Sequence, residues 1–369
     1  MKRILLLFLI VAVCLVGCSV SNTEKEEIET SSVQKEKALP SVENIPICSW
    51  WEQRMFQKEV NFFGNVTKDG IYTYLYGCTE SGKQEYLLAE LTEQDEWEMS
   101  HASWETELWK RTKEVLTDVA VCSDGSYIGV VQPEDALPIF YELKEDGKVT
   151  EWKLPDGILK WDKEAKEKVQ WILVNEKNQI VISTYFLGHD YIDGERVSAT
   201  ELSHTIVYDP FKKELISQRE YVGSKKEVVI AGNYMFSSVP DGEYMGIRVY
   251  RMDGGGAQAL MTHDTITSAK NHGYTKQRFV CYRGGSYGYW YTDFGIYRFP
   301  VKESYDGSEG LELVIPPECY VRQGENYNVL DMVCSEGDSD MEFYVEIIAD
   351  YPTDGTYSPG NVIMTRYAE

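Results

Sequence analysis

Positive charge is scarce in this sequence: 36 Lys and Arg stand against 60 Asp and Glu in 369 residues. A surface this acidic repels phosphate backbones and anionic headgroups, so nucleic acid is excluded as a partner. Histidine is scarcer still, with five residues: His101, His189, His204, His263 and His272. No two of them make an i,i+4 pair or the Cys/His spacing of a zinc site, and no metal or cofactor is expected. Asp338-Ser339-Asp340 lacks the spaced carboxylates of a full calcium loop and reads as a turn. No catalytic constellation is expected either. Aromatic residues are missing from positions 19 to 45, a stretch of Glu, Lys, Ser and Thr that cannot bury enough apolar area to offset its ordering entropy.

What is present begins at the amino end. Lys2 and Arg3 precede an apolar run from Ile4 to Val16, which is shorter than the roughly 20 residues a bilayer span requires. The run closes Leu15-Val16-Gly17-Cys18 and turns polar at once. That tetrad resembles the lipobox of bacterial lipoproteins. The resemblance implies a signal peptide at 1–17, acyl lipid such as palmitate on Cys18, and a chain held on the extracytoplasmic side of the cell membrane. Residues 18–45 then read as the lipidated cysteine and a flexible charged tether, and residues 46–369 as one folded domain. Removal of Lys2 and Arg3 with the signal leaves 34 basic against 60 acidic residues, a net charge of −26.

An internal repeat organises the domain. Val121-Cys122, Val280-Cys281 and Val333-Cys334 each end a short apolar run before a polar turn and a Ser. Val66, Val174 and Ile230 share that frame without the cysteine. The six anchors lie 50 to 56 residues apart. After each turn comes a second β-branched or aromatic run, such as Ile71–Tyr76, Ile180–Ser183 or Phe343–Ile347. Third and fourth runs follow, as in Ile139–Leu143 and Val149–Lys153, with Asp146-Gly147 between them. Four antiparallel strands per unit of this length specify an all-β fold, a six-bladed β-propeller of four-stranded blades. The sixth unit lacks a fourth strand, so an N-terminal strand drawn from Ile47 to Phe63 is expected to fill the vacancy and close the ring. Seven blades is the alternative, with the extra unit around Trp97 to Trp109. The charged run Trp161 to Trp171 has helical composition and reads as a short helix or connector. On this architecture the chain resembles bacterial β-propeller lipoproteins across most of residues 46 to 369.

Candidate functional residues are few. Cys122, Cys281 and Cys334 occupy equivalent places in different units, so packing rather than pairing is expected of them; one disulfide among Cys48, Cys78 and Cys319 stays open. The long loop Phe186 to Leu202 separates the second and third strands of the third unit and is expected on the same rim as Ala349 to Gly360. That loop and the residue before it nominate Tyr185, His189, Asp190, Tyr191 and Asp193 as binding residues. Trp290, Tyr291 and Asp293 are nominated from the aromatic segment Tyr287 to Tyr297, since Tyr and Trp on a rim stack on sugar rings or anchor a protein; the same alternation suits aromatics packed between blades. The resulting expectation is a monomeric, non-catalytic binding or scaffolding module for an extracellular protein, peptide or glycan. The alternative is a glycan hydrolase or lyase with carboxylates facing one another in a central funnel.

Overall fold

The computed structural model describes residues 41–45, 60–68, 71–80, 83–91, 97–161, 165–188, 190–192, 195–197, 203–220, 222–241, 244–261, 278–281, 286–292, 294–306, 309–319, 327–336, 341–349 and 362–368. From Pro40 onward the chain belongs to one unit, and it is strand after strand. The first strand, β1 (Ser41–Ile45), is followed by a sheet of β2 (Val60–Lys68), β3 (Ile71–Glu80), β4 (Lys83–Leu91) and β5 (Trp97–His101). A helix, α1 (Glu105–Thr112), leads to the second sheet: β6 (Asp118–Val121), β7 (Tyr127–Val131), β8 (Ile139–Leu143) and β9 (Val149–Trp152). The third holds β10 (Ala165–Val174), β11 (Ile180–Gly188), β14 (His204–Asp209) and β15 (Glu214–Glu220). A two-stranded ribbon, β12 (Asp190–Ile192) with β13 (Glu195–Val197), is inserted in its middle.

The fourth sheet is β16 (Val228–Ala231), β17 (Tyr234–Asp241), β18 (Tyr244–Arg251) and β19 (Ala257–Met261). The fifth is β20 (Arg278–Cys281), β21 (Tyr287–Thr292), β22 (Gly295–Pro300) and β23 (Glu312–Ile315). The last runs β24 (Tyr327–Glu336), β25 (Met341–Ala349), β26 (Val362–Ala368) and then β1. All strand pairings in these sheets are antiparallel.

Each of the six repeat anchors falls in the first strand of a sheet: Val66 in β2, Val121 in β6, Val174 in β10, Ile230 in β16, Val280 in β20 and Val333 in β24. Those first strands neighbour one another in order, and β24 also neighbours β2. Between consecutive sheets lie separate apolar clusters. Phe140, Ile128, Ile182 and Ile206 fill the space between the second and third sheets; Trp171, Val181, Val207 and Met235 fill that between the third and fourth. Polar turns repeat the same spacing: Ser123 N–H donates to Asn178 Oδ1 at 2.8 Å, and Lys177 Nζ donates to Asn233 Oδ1 at 2.6 Å. Gly147 and Gly254 take φ of +83° and +90°, which the tight Asp-Gly turns require.

Three expectations need correction. The strand completing the last sheet is Ser41–Ile45, paired residue for residue from Ser41 with Ala368 to Ile45 with Met364. It therefore comes from the stretch expected to be tether, not from Ile47 to Phe63. An edge strand has a single strand partner, so its place is set by backbone pairing and does not require an apolar run. Within the run Trp161 to Trp171, the residues from Ala165 onward are strand, not helix: they belong to β10, where Glu167, Val169 and Trp171 are buried in a sheet rather than set along a helical stripe. The stretch Trp97 to Trp109 supplies the fourth strand of the first sheet and part of α1, and no further sheet is built there among the described residues. Helix α1 carries Glu105 and Glu107 in its first turn and Lys110 and Arg111 in its last, matching its dipole, and ends on Lys113 in the left-handed region.

Candidate functional site

Side chains alternate across a strand, so residues two apart share a face. In the third sheet Glu167 shares the face of Val169, Thr184 that of Ile182, and His204 that of Ile206; the three apolar residues belong to the cluster shared with the second sheet. Glu167, Thr184 and His204 thus meet at one end of that inter-sheet layer, where apolar packing gives way to a cavity of about 570 Å³. The connection Asp156–Trp161 roofs it, Leu137 and Phe186 wall it, and Gln218 reaches it from β15.

The chemistry centres on Glu167, whose side chain is 1% exposed. Its Oε1 accepts the Thr184 hydroxyl at 2.6 Å and faces His204 Nδ1 at 3.1 Å, while Oε2 accepts the Lys160 backbone N–H at 2.8 Å. The Thr184 oxygen in turn accepts the His204 backbone N–H at 3.1 Å. A buried carboxylate held by three donors needs no further partner, and it fixes the orientation of the imidazole beside it. Phe186 sets the other side of that ring, edge-on at 6.0 Å and 72°. The His204 side chain is 35% exposed. Trp161 is half-buried, with Lys166 Nζ 5.7 Å from its ring centroid.

A second buried carboxylate lies on a first strand. Asp118 of β6 accepts Lys225 Nζ at 2.6 Å on Oδ1 and the Ile172 backbone N–H at 2.8 Å on Oδ2. Burial pushes its carboxyl above the usual range, and the Lys225 charge and these hydrogen bonds oppose that rise. The pair joins the second sheet, β10 and the turn before β16; its oxygens are engaged in structure.

The nominated residues are scattered by this geometry. Tyr185 is half-buried on β11, paired with Lys168 of β10. Asp190 and Tyr191 lie on β12, opposite Val197 and Arg196. His189, Asp193, Asp293 and Cys18 lie outside the described residues, as does most of Ala349 to Gly360. Trp290 and Tyr291 are both 0% exposed. Trp290 packs with Phe236, Phe299 and Tyr305 between the fourth and fifth sheets, which corrects their nomination: a ring with no accessible face cannot stack on a ligand. Cys122 is likewise buried, between the second and third sheets, in keeping with a packing role. Among the described residues no group of three His, Cys, Asp or Glu side chains converges on one point. No described helix is long and apolar enough to cross a membrane.

Gly284-Gly285-Ser286-Tyr287-Gly288 has the spacing of a hydrolase nucleophile elbow. That motif needs a sharp strand-to-helix turn, whereas Ser286 here immediately precedes strand β21 and is exposed. Glu167 and His204 were not nominated from the sequence. The available signal was Glu167 itself: once 165–174 is read as a strand, its place two residues before Val169 puts an acid on a buried face.

No family model matches the chain, and no curated protein matches it. Solved structures similar to it include the acylaminoacyl peptidase of Pyrococcus horikoshii, at 12% identity and a TM-score of 0.41 over 81% of this chain and 47% of that one. The chain thus spans about half the length of that peptidase. Others are the β-propeller domain of the Trilobed protease of Pyrococcus furiosus (11% identity, TM-score 0.37, 79% and 84% covered) and a six-bladed β-propeller fucose lectin of Aleuria aurantia (10%, 0.36, 83% and 96%). Likenesses this distant assign neither ligand nor chemistry to the present chain, which stands as an all-β protein of four-stranded antiparallel sheets.

Proposed function

We propose that this chain is a lipid-anchored, extracytoplasmic six-bladed β-propeller that acts as a binding module, with its ligand seated in the cavity between the second and third sheets. The ring is supported by the six evenly spaced repeat units and by first strands that neighbour one another in order, β24 returning to β2. The anchor rests on Leu15-Val16-Gly17-Cys18 and the two-chain lipid attachment that such a tetrad implies.

The observation that carries the binding reading is the His204 imidazole, oriented from behind by Glu167 and set on a cavity of the size small ligands occupy. Catalysis would need a reactive group beside it. The hydroxyl of that network, on Thr184, donates its proton to Glu167. The two first-strand carboxylates whose side chains are described, Asp118 and Glu167, have both oxygens engaged. A glycan hydrolase or lyase would instead need two available carboxyl groups across the site.

The test is an array of glycans, peptides and envelope extracts probed with the chain from Pro40 onward, with turnover assayed in the same wells. Saturable binding that His204→Phe weakens, without product, is the expected result. Release of product would overturn the binding reading in favour of an enzyme.

A further inference from the structure

Resting on that reading, we propose that the cavity takes a neutral, hydroxyl-rich ligand, a pyranose saccharide, by accepting a ligand hydroxyl at His204 Nε2 while the sugar face lies on Trp161. Glu167 decides the first half. Its carboxylate already collects donors from Thr184 and Lys160, and an ionised carboxylate only accepts, so the imidazole nitrogen facing it must be the one that carries hydrogen. In the neutral ring this leaves Nε2 as an acceptor. An acceptor in a cavity selects a ligand with a proton to offer. A carboxylate or phosphodiester offers lone pairs alone at its charged group; Lys160 and Asp156 both line the cavity and offset one another locally, and the protein surface around it is acidic.

The wall decides the second half. Trp161 and Phe186 give the cavity aromatic surface, and Leu137 and Ile158 add aliphatic surface. The Gln218 carboxamide supplies both a donor and an acceptor at the side. A sugar ring combines an apolar C–H face with a rim of hydroxyls, which suits that division. A peptide is served less well. Peptides commonly gain affinity by adding a strand to an open sheet edge, and this cavity lies between the faces of two sheets, not along an edge.

The experiment follows the imidazole nitrogens of the ¹⁵N-histidine-labelled chain from Pro40 onward. The His204 signal among the five histidines is identified by its loss in His204→Phe. Probes are glucose, galactose, mannose, N-acetylglucosamine and their disaccharides, with inorganic phosphate and a blocked dipeptide amide alongside. A saccharide should move the Nε2 signal of His204 saturably. His204→Phe and Trp161→Ala should each weaken that saccharide about tenfold, the scale of one lost hydrogen bond or contact. His204→Gln, which still offers an acceptor, should retain most of the affinity; thermal melts of the three variants establish that they fold. A shift with phosphate alone or the dipeptide alone overturns the saccharide assignment and leaves the cavity as a ligand site. A still signal under every probe, with an array ligand indifferent to both variants, overturns the cavity and leaves a binding module that works elsewhere. No array ligand and no shift overturns both readings.

Discussion

Glu167 sits where an acid is costly, and its surroundings show how the cost is met. Three donors converge on a side chain with 1% exposure, so removing the carboxylate takes a buried acceptor from all three at once. Glu167→Ala should destabilise the protein by about 3 kcal/mol, an unsatisfied buried donor costing on the order of 1–3 kcal/mol. The check is the urea midpoint at unchanged slope. The second buried acid makes a pH-dependent prediction. Asp118 has its carboxyl raised by burial, with Lys225 holding it down. Lys225→Met removes that counter-charge and lifts the carboxyl further. A raised folded-state value means the folded protein holds its proton at pH values where the unfolded chain has lost it, so stability falls as pH rises through that window. The variant should therefore be weakened at neutral pH by about 2–3 kcal/mol, less than a fully enclosed pair because Lys225 is partly exposed. The deficit should shrink on acidification, and Asp118→Asn in the Lys225→Met background should relieve it at neutral pH. Denaturant titrations across pH measure all three effects.

At the level of elements, β1 carries the clearest expectation. It gives the last sheet its fourth strand through pairing along Ser41–Ile45. A chain begun at Pro46 loses it and leaves β26 as a bare edge, whereas one begun at Pro40 keeps the sheet whole. The shorter chain should melt at lower temperature and associate at concentrations where the longer one is monomeric; calorimetry and gel filtration with light scattering separate the two. That difference was hidden in the sequence. Ser-Val-Glu-Asn-Ile has three polar residues in five, follows a charged stretch, and finds its partner more than 300 residues away, so no local periodicity announces it. The first strands were legible for the opposite reason: Val-Cys or Val before a polar turn recurs at a fixed interval, and each anchor falls where a sheet begins. The run before Trp171 misled because Lys and Glu dominate its composition, while burial and a bulge between Val169 and Trp171 are set by neighbouring strands. Glu167 and His204 lie 37 residues apart with no shared motif, and only the β10–β11–β14 order brings them together. The aromatic run at Trp290 and Tyr291 was legible as strand, but a stretch of alternating aromatics looks alike whether its faces are covered or bare.

For the whole molecule, the acidic balance and the amino-terminal tetrad make one joint prediction. If acyl chains on Cys18 carry the membrane affinity, Cys18→Ser should move the protein from the detergent-rich to the aqueous phase on partitioning, because electrostatics cannot replace two buried acyl chains when the chain without residues 1–17 has a net charge of −26. High salt should not release the wild-type protein. Wild-type protein already in the aqueous phase would remove the anchor from the reading without touching the fold.

The pairing of Ser41–Ile45 with the strand ending at Ala368 also orders events in time. Among the described strands these two partners come first and last in order of synthesis, so the last sheet is completed only after every other described strand has been made. The other described four-stranded sheets form from strands that follow one another in sequence, but this one waits on a loop closure of more than 300 residues. Until then β1 lacks the strand it pairs with, and completion of this sheet is set by the moment Ser41–Ile45 meets Val362–Ala368.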